Sequence, residues 1–298
     1  MIIILYEKKK MKIGVSSYSY QQYLNKGLLD RITVIAKAAE MGFETIEYTG
    51  FDDIEAFDDK IKLACQIKEE AAKHGLEVSA YVIGANLLQE TPELVAAEVE
   101  RIKRQLDVAS ALGAPNFRYD VLFKLPMHRS FDSVLEEFVP SMREIASYGQ
   151  KLGIKTMIEN HGYAFQDAAR VEKSYNAVNH ENFGLLIDIG NFMCADEDNV
   201  RCVSNLANLA FHVHLKDMVK LDYYSPYSKD GCFGTRCANY LRGVAVGDGD
   251  AKTAQCLTIL KNAGYDGYVN IEYEGSEDCI KGLEKGLAFY RNYEKECK

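Results

Sequence analysis

The feature that most restricts how this chain can fold is an alternation. A short run rich in β-branched residues, then a longer stretch with apolar residues three and four apart, recurs from one end of the sequence to the other. That pattern is the signature of parallel βα units. The strands it predicts are Lys12 to Ser16, Thr45 to Tyr48, Glu77 to Tyr81, Asn116 to Tyr119, Lys155 to Glu159, Gly184 to Asp188, Ala210 to Leu215 and Gly267 to Glu272. Five of these eight follow a glycine that sits just past a helical stretch, where a left-handed C-cap turns the chain into a strand. Helices are expected over Leu28 to Glu40, Asp53 to Lys73, Pro92 to Leu112, Phe131 to Leu152 and Asp198 to Leu209. Thr91 and Ser130 are placed as N-caps ahead of acidic first turns.

Eight parallel strands with intervening helices and no Pro/Ser/Gly-rich linker point to one closed (β/α)₈ barrel over residues 11–298 rather than two domains. Met11 opens the first strand, so residues 1–10 are expected to be an extension outside the fold. An open, doubly wound sheet is the competing architecture. It would place a glycine-rich phosphate loop after the first strand, whereas this chain has Val15-Ser16-Ser17-Tyr18 there.

Composition narrows the function classes. A net charge of −9 without a basic patch argues against nucleic acid as a partner. Eight scattered cysteines without a CxxC pair suggest free thiols in a reducing compartment. No apolar run approaches the roughly 18 residues of a membrane span, and the amino terminus does not read as a signal peptide. A cytoplasmic protein is the expectation.

In a barrel of this kind the functional groups gather where the strands end. The fifth strand ends at Glu159, the sixth at Asp188, the seventh at His214 and the eighth at Glu272, with separations of 29, 26 and 58 residues. The first two separations equal one βα unit, and the third is one unit plus a long loop, so all four side chains should meet at one mouth. Three carboxylates and an imidazole crowded together repel one another unless a cation lies among them. The oxygen-rich set suits Mn²⁺ or Mg²⁺, with Co²⁺ or Zn²⁺ also compatible.

At these strand ends the sequence resembles the sugar phosphate isomerase/epimerase superfamily, the xylose isomerase-like TIM barrels. That superfamily includes ketose epimerases, inosose dehydratase and endonuclease IV. The resemblance rests on Ile158-Glu159-Asn160-His161-Gly162, on His212-Val213-His214-Leu215-Lys216-Asp217, and on Val246-Gly247-Asp248-Gly249-Asp250 leading to Ile271-Glu272. It implies that Glu159, Asp188, His214 and Glu272 bind the metal and that Glu159 and Glu272 are also the catalytic acid–base pair. It places Glu47 and Arg118 as polar substrate contacts. One departure is informative: the epimerases carry a histidine where this chain has Asn191, which can donate a hydrogen bond but cannot relay a proton. His161 and Lys216 are candidates to supply the missing donor or charge, and His161 could equally orient Glu159. His212 is assigned to the strand face opposite His214, as a packed histidine rather than a ligand.

The segment Asp217 to Arg242 carries Tyr223, Tyr224, Tyr227, Phe233, Arg236, Tyr240 and Arg242, and reads as a lid or an ordered surface loop, with Arg242 placed as a further substrate contact. The resulting expectation is a metal-dependent isomerase or epimerase of a small carbohydrate that works by proton abstraction next to a carbonyl, in a homo-oligomer. A lyase using the same site, such as a dehydratase or a 3-keto-glycoside-cleaving enzyme, is the alternative. An endonuclease is disfavoured by the charge and by only six histidines. A non-catalytic sugar-binding barrel is disfavoured by the intact ligand set.

Overall fold

The computed structural model describes residues 10–224 and 230–296. The expectations for residues 1–9, for Tyr227 and for Cys297 therefore fall outside the described residues. Eight parallel strands close into a barrel: β1 (Lys12–Ser16), β2 (Thr45–Thr49), β3 (Glu77–Ile83), β4 (Asn116–Tyr119), β5 (Lys155–Glu159), β6 (Phe183–Asp188), β7 (Ala210–Leu215) and, after three short strands or hairpin arms named below, β11 (Tyr268–Ile271). β1 pairs with both β2 and β11, which completes the closure.

The glycines do what the sequence implied. Gly42, Gly113 and Gly153 end their helices with φ of 91°, 73° and 71°, a region that costs a residue with a Cβ, and each turn delivers the chain to the next strand. At the other helix ends, Thr91 accepts a hydrogen bond from the Leu94 amide and Ser130 accepts one from Ser133. The first expected helix starts later than the pattern suggested, at Thr33. Asp30 Oδ1 accepts from the Ile32 and Thr33 amides, which caps the helix there and leaves Leu28 exposed.

Most apolar burial lies between the barrel and its helices, with Ile35, Ile67, Leu106, Ile145 and Leu283 almost fully covered. Each such side chain contributes roughly 1.5–3 kcal/mol. The lumen is different. Ala80, Val82, Met157 and Leu186 form a small separate apolar cluster. Around them Thr45 Oγ1 donates to Asn270 Oδ1 (3.2 Å), and Asn270 Nδ2 donates to Ser79 Oγ (2.8 Å). Gly14 makes room for this network: a Cβ there would lie 2.0 Å from Thr45 Oγ1 and 2.1 Å from Asn270 Oδ1.

Among the described residues, the segment expected as a loop or lid contributes to a three-stranded antiparallel sheet of β8 (Asp217–Leu221), β9 (Phe233–Gly234) and β10 (Tyr240–Val244) beside the barrel mouth. Its anchor is Asp217. That buried carboxylate accepts from the amides of Met218, Gly247, Gly249 and Ala251, so the Val246–Asp250 motif wraps around it. Among the described residues no helix is long and apolar enough to cross a membrane, and the described cysteines are free.

Candidate functional site

The ends of β5, β6, β7 and β11 bring Glu159, Asp188, His214 and Glu272 together, with one ligand atom of each within 4.8 Å of the others. His214 Nδ1 is the common point. It lies 4.0 Å from Glu159 Oε1, 3.9 Å from Asp188 Oδ2 and 3.6 Å from Glu272 Oε2.

Local backbone chemistry aims each group. Asp188 Oδ1 accepts from the amides of Gly190 (2.8 Å) and Asn191 (3.0 Å), which leaves Oδ2 for the site. Gly190 is required there, because a Cβ would come within 2.6 Å of the Lys216 carbonyl oxygen. The Asn160 side chain ties the ends of β5 and β6 together, donating to the Asp188 carbonyl and accepting from its amide, both at 2.9 Å. His214 is oriented from behind: its Nε2 lies 2.8 Å from Glu47 Oε2, so that Nδ1 is the nitrogen presented to the carboxylates.

Two expectations are corrected here. His212 does not face away from His214. Side chains on a strand repeat with a period of two, so residues 212 and 214 share a face, and His212 Nε2 lies 3.0 Å from the same Glu47 oxygen. Glu47 is a support for that pair rather than a substrate contact, being fully buried and absent from the residues that line the mouth.

The other predicted residues distribute as follows. Arg118 Nε pairs with Glu159 Oε2 at 2.8 Å, and Arg118 Nη2 pairs with Asp120 Oδ1 at 2.7 Å. His161 Nδ1 meets the same Asp120 oxygen at 2.9 Å. Asn191 Nδ2 donates to Glu159 Oε1 at 2.9 Å. Lys216 Nζ sits 2.6 Å from Glu272 Oε2 and 3.3 Å from Asp188 Oδ2. Arg242 lies on β10 opposite Val219 and is not among the residues lining the mouth. Arg236 pairs with Asp167 and donates to the Tyr163 carbonyl.

The mouth itself is a cavity of about 350 Å³ whose walls include Tyr18, Asp52, Arg118, His161, Lys216 and Glu274 beside the ligand cluster. Tyr18, Asp52, Asp120, Asn160 and Glu274 were not singled out from the sequence. Asp120 and Glu274 each lie two residues beyond a residue that was, and the period of a strand could have flagged them.

Burial and charge explain the protonation pattern. Desolvation, together with the charges of Glu159 and Glu272, pushes Asp188 up to about 7. Burial opposes charge on Glu272 too, but Lys216 and His214 hold it well below the usual carboxylate range. Burial likewise opposes a charged His214, yet Glu47 and Glu272 keep its imidazole well above its ordinary value. Despite burial, Asp120 raises His161. The field at this point therefore favours positive charge. Asp188 Oδ2 and His214 Nδ1 are moreover buried without a hydrogen-bond partner. Ligand atoms that converge from four strand ends, two of them without a hydrogen bond and with a carboxylate behind the imidazole, are what a divalent cation site requires.

Three carboxylates and one histidine at the strand ends of a closed parallel barrel define a class, that of TIM barrels with a candidate metal-binding site at the mouth. Residues 35–293 match the family described as the xylose isomerase-like TIM barrel, and the chain belongs to it. An inosose dehydratase of Mesomycoplasma hyopneumoniae is 27% identical over 147 residues, 47% of this chain and 47% of that protein. The chain thus spans about half the length of that relative. A ketose 3-epimerase of Arthrobacter globiformis is 25% identical over 268 residues, covering 87% of this chain and 82% of its own. Among solved structures, IolI with a bound zinc atom shares the fold, at a TM-score of 0.72 and 15% identity over 96% of this chain and 99% of that one.

Proposed function

We propose that this protein is a divalent-metal-dependent isomerase or epimerase of a small sugar or sugar derivative. The observation that carries the reading is the placement of two carboxylates. Glu159 on β5 and Glu272 after β11 reach the same imidazole nitrogen from strands that are not neighbours, and each is held by its own cation, Arg118 for one and Lys216 for the other. When bound by Glu159, Asp188, His214 and Glu272, an ion such as Mn²⁺ or Mg²⁺ supplies Lewis-acid stabilisation of the oxyanion that forms when a proton leaves a carbon next to a carbonyl.

The chain's own residues do the rest. One glutamate takes the proton, and the other, having first taken a proton from solvent, delivers that one to the same carbon or its neighbour, each step contributing ~10²–10⁴-fold. Arg118 fixes the Glu159 carboxylate from one side and Asn191 Nδ2 fixes it from the other. The acidic rim residues Asp52 and Glu274 are suited to accept hydrogen bonds from substrate hydroxyls. The likeness to a ketose 3-epimerase over most of the chain supports this reading.

One arrangement favours a second reading. His161 lines the cavity with Nδ1 committed to Asp120, which leaves Nε2 as the ring nitrogen available to a substrate. A proton donor there could protonate a hydroxyl leaving from the carbon β to the carbonyl, so that water departs and a dehydratase results. The partial likeness to inosose dehydratase fits that outcome.

Incubation of the metal-loaded protein in D₂O with ketoses, keto-polyols and 3-keto-glycosides separates the two. Deuterium gain without loss of mass, abolished in Glu159→Gln and Glu272→Gln, is the expected result. Loss of water or aglycone would assign a lyase instead, and no exchange with any of them would count against both.

A further inference from the structure

Lys216 stands on the oxygens that a metal would use. Its Nζ lies 2.6 Å from Glu272 Oε2 and 3.3 Å from Asp188 Oδ2, and these are the same two oxygens that face His214 Nδ1. Lys216 is 3% exposed and lines the mouth cavity. Its two remaining partners lie outside the ligand set: Asn191 Oδ1 at 3.3 Å and Glu274 Oε1 at 3.3 Å. Glu274 is held in place by its backbone. A bridge joins Gly243 of β10 to Gly275, and a Cβ on Gly243 would come within 2.3 Å of the Glu274 carbonyl oxygen.

We infer that Lys216 is the resident counter-cation of the metal-free barrel, and that Glu274 is the acceptor to which its ammonium passes when a divalent ion takes Asp188 and Glu272. The inference rests on the metal reading given above. Arg118 offsets Glu159, whereas Asp188 and Glu272 without a counter-charge would destabilise the folded chain, and Lys216 supplies that charge before any ion arrives. An ammonium and a divalent ion on the same two oxygens repel each other, so Lys216 also lowers the affinity for the ion. Glu274 relieves that repulsion by drawing the ammonium to the far side. Lysine and glutamate together thus set how tightly the ion is held and how readily it exchanges.

This account predicts shifts of opposite sign. With Mn²⁺ alone titrated into the full-length chain by calorimetry, Lys216→Met should bind about tenfold more tightly or better than the natural protein. Without metal it should melt earlier, and its gain in melting temperature on loading should be larger. Glu274→Gln should bind Mn²⁺ about tenfold more weakly, because the ammonium keeps its hold on Glu272 and Asp188. A Lys216→Met protein that folds only with Mn²⁺ present agrees with the inference. If it cannot be obtained folded at all, Glu274→Gln decides the matter alone. Unchanged or weaker binding in Lys216→Met, or unchanged or tighter binding in Glu274→Gln, overturns it and leaves Lys216 a substrate contact or an orienting partner of Glu272. Absence of Mn²⁺ binding by the natural protein is a separate failure, that of the metal reading itself.

Discussion

Glu47 Oε2 lies 2.8 Å from His214 Nε2, across the barrel lumen from β2 to β7, and this contact decides which nitrogen of His214 faces the three carboxylates. A ligating histidine is commonly fixed in this way by a carboxylate on its other nitrogen. Glu47→Ala should therefore weaken Mn²⁺ binding by about 10–100-fold while the far-UV circular dichroism stays that of the native fold. Glu47→Gln, which still accepts a hydrogen bond, should lose less than Glu47→Ala. Equal binding by all three proteins would remove Glu47 from the site.

Metal uptake should release protons. Asp188 is pushed up to about 7 by burial and the neighbouring carboxylates, and His214 is held above its ordinary value, so both carry protons that the ion must displace. A group whose pKa is raised keeps its proton below that value; binding is accordingly favoured above pH 7 and is lost as the pH falls through it. Calorimetry of Mn²⁺ binding at pH 8 and pH 6, in buffers of different ionisation enthalpy, should show weaker binding at pH 6 and a net release of protons at both. Affinity that does not change across this range would contradict the protonation pattern.

Asp217 holds the turn between the side sheet and the last helix pair. Four backbone amides donate to it, and a Cβ on Gly249 would lie 2.2 Å from its Oδ1. Asp217→Ala strands two buried donors, the Met218 and Ala251 amides, at about 1–3 kcal/mol each, so a fall in thermal midpoint of several degrees is expected. A midpoint within a degree of the natural protein would show that the turn holds itself.

Gly14 tests the lumen. Gly14→Ala drives a methyl group into Thr45 and Asn270 and should destabilise the barrel by about 1–3 kcal/mol, read as a lower urea midpoint with an unchanged slope. An unaltered midpoint would mean that the lumen network can shift aside.

Most of the barrel was legible in the sequence because its signals are local. Alternation within each βα unit, helix-ending glycines and caps such as Thr91 and Ser130 all act over a few residues. The ligand set was legible for a related reason: one repeat of the fold separates Glu159 from Asp188 and Asp188 from His214. What escaped depends on contacts across the lumen. Glu47 reads as a rim residue until β2 and β7 are seen to face each other, since its partners are 165 and 167 residues away. The side sheet escaped because its residues, among them Lys220 and Arg242, alternate weakly and mimic a polar loop. The misplacement of His212 had a different origin, since the strand period itself puts it beside His214.

The measurement that bears most directly on the central claim is the metal content and stoichiometry of the folded protein. The account predicts one divalent ion per chain after equilibration with Mn²⁺, a raised melting temperature on loading, and loss of both in Asp188→Asn and His214→Gln. A natural protein that binds no ion, or variants that bind it as well as the natural protein does, would contradict the assignment of Glu159, Asp188, His214 and Glu272 as a metal centre.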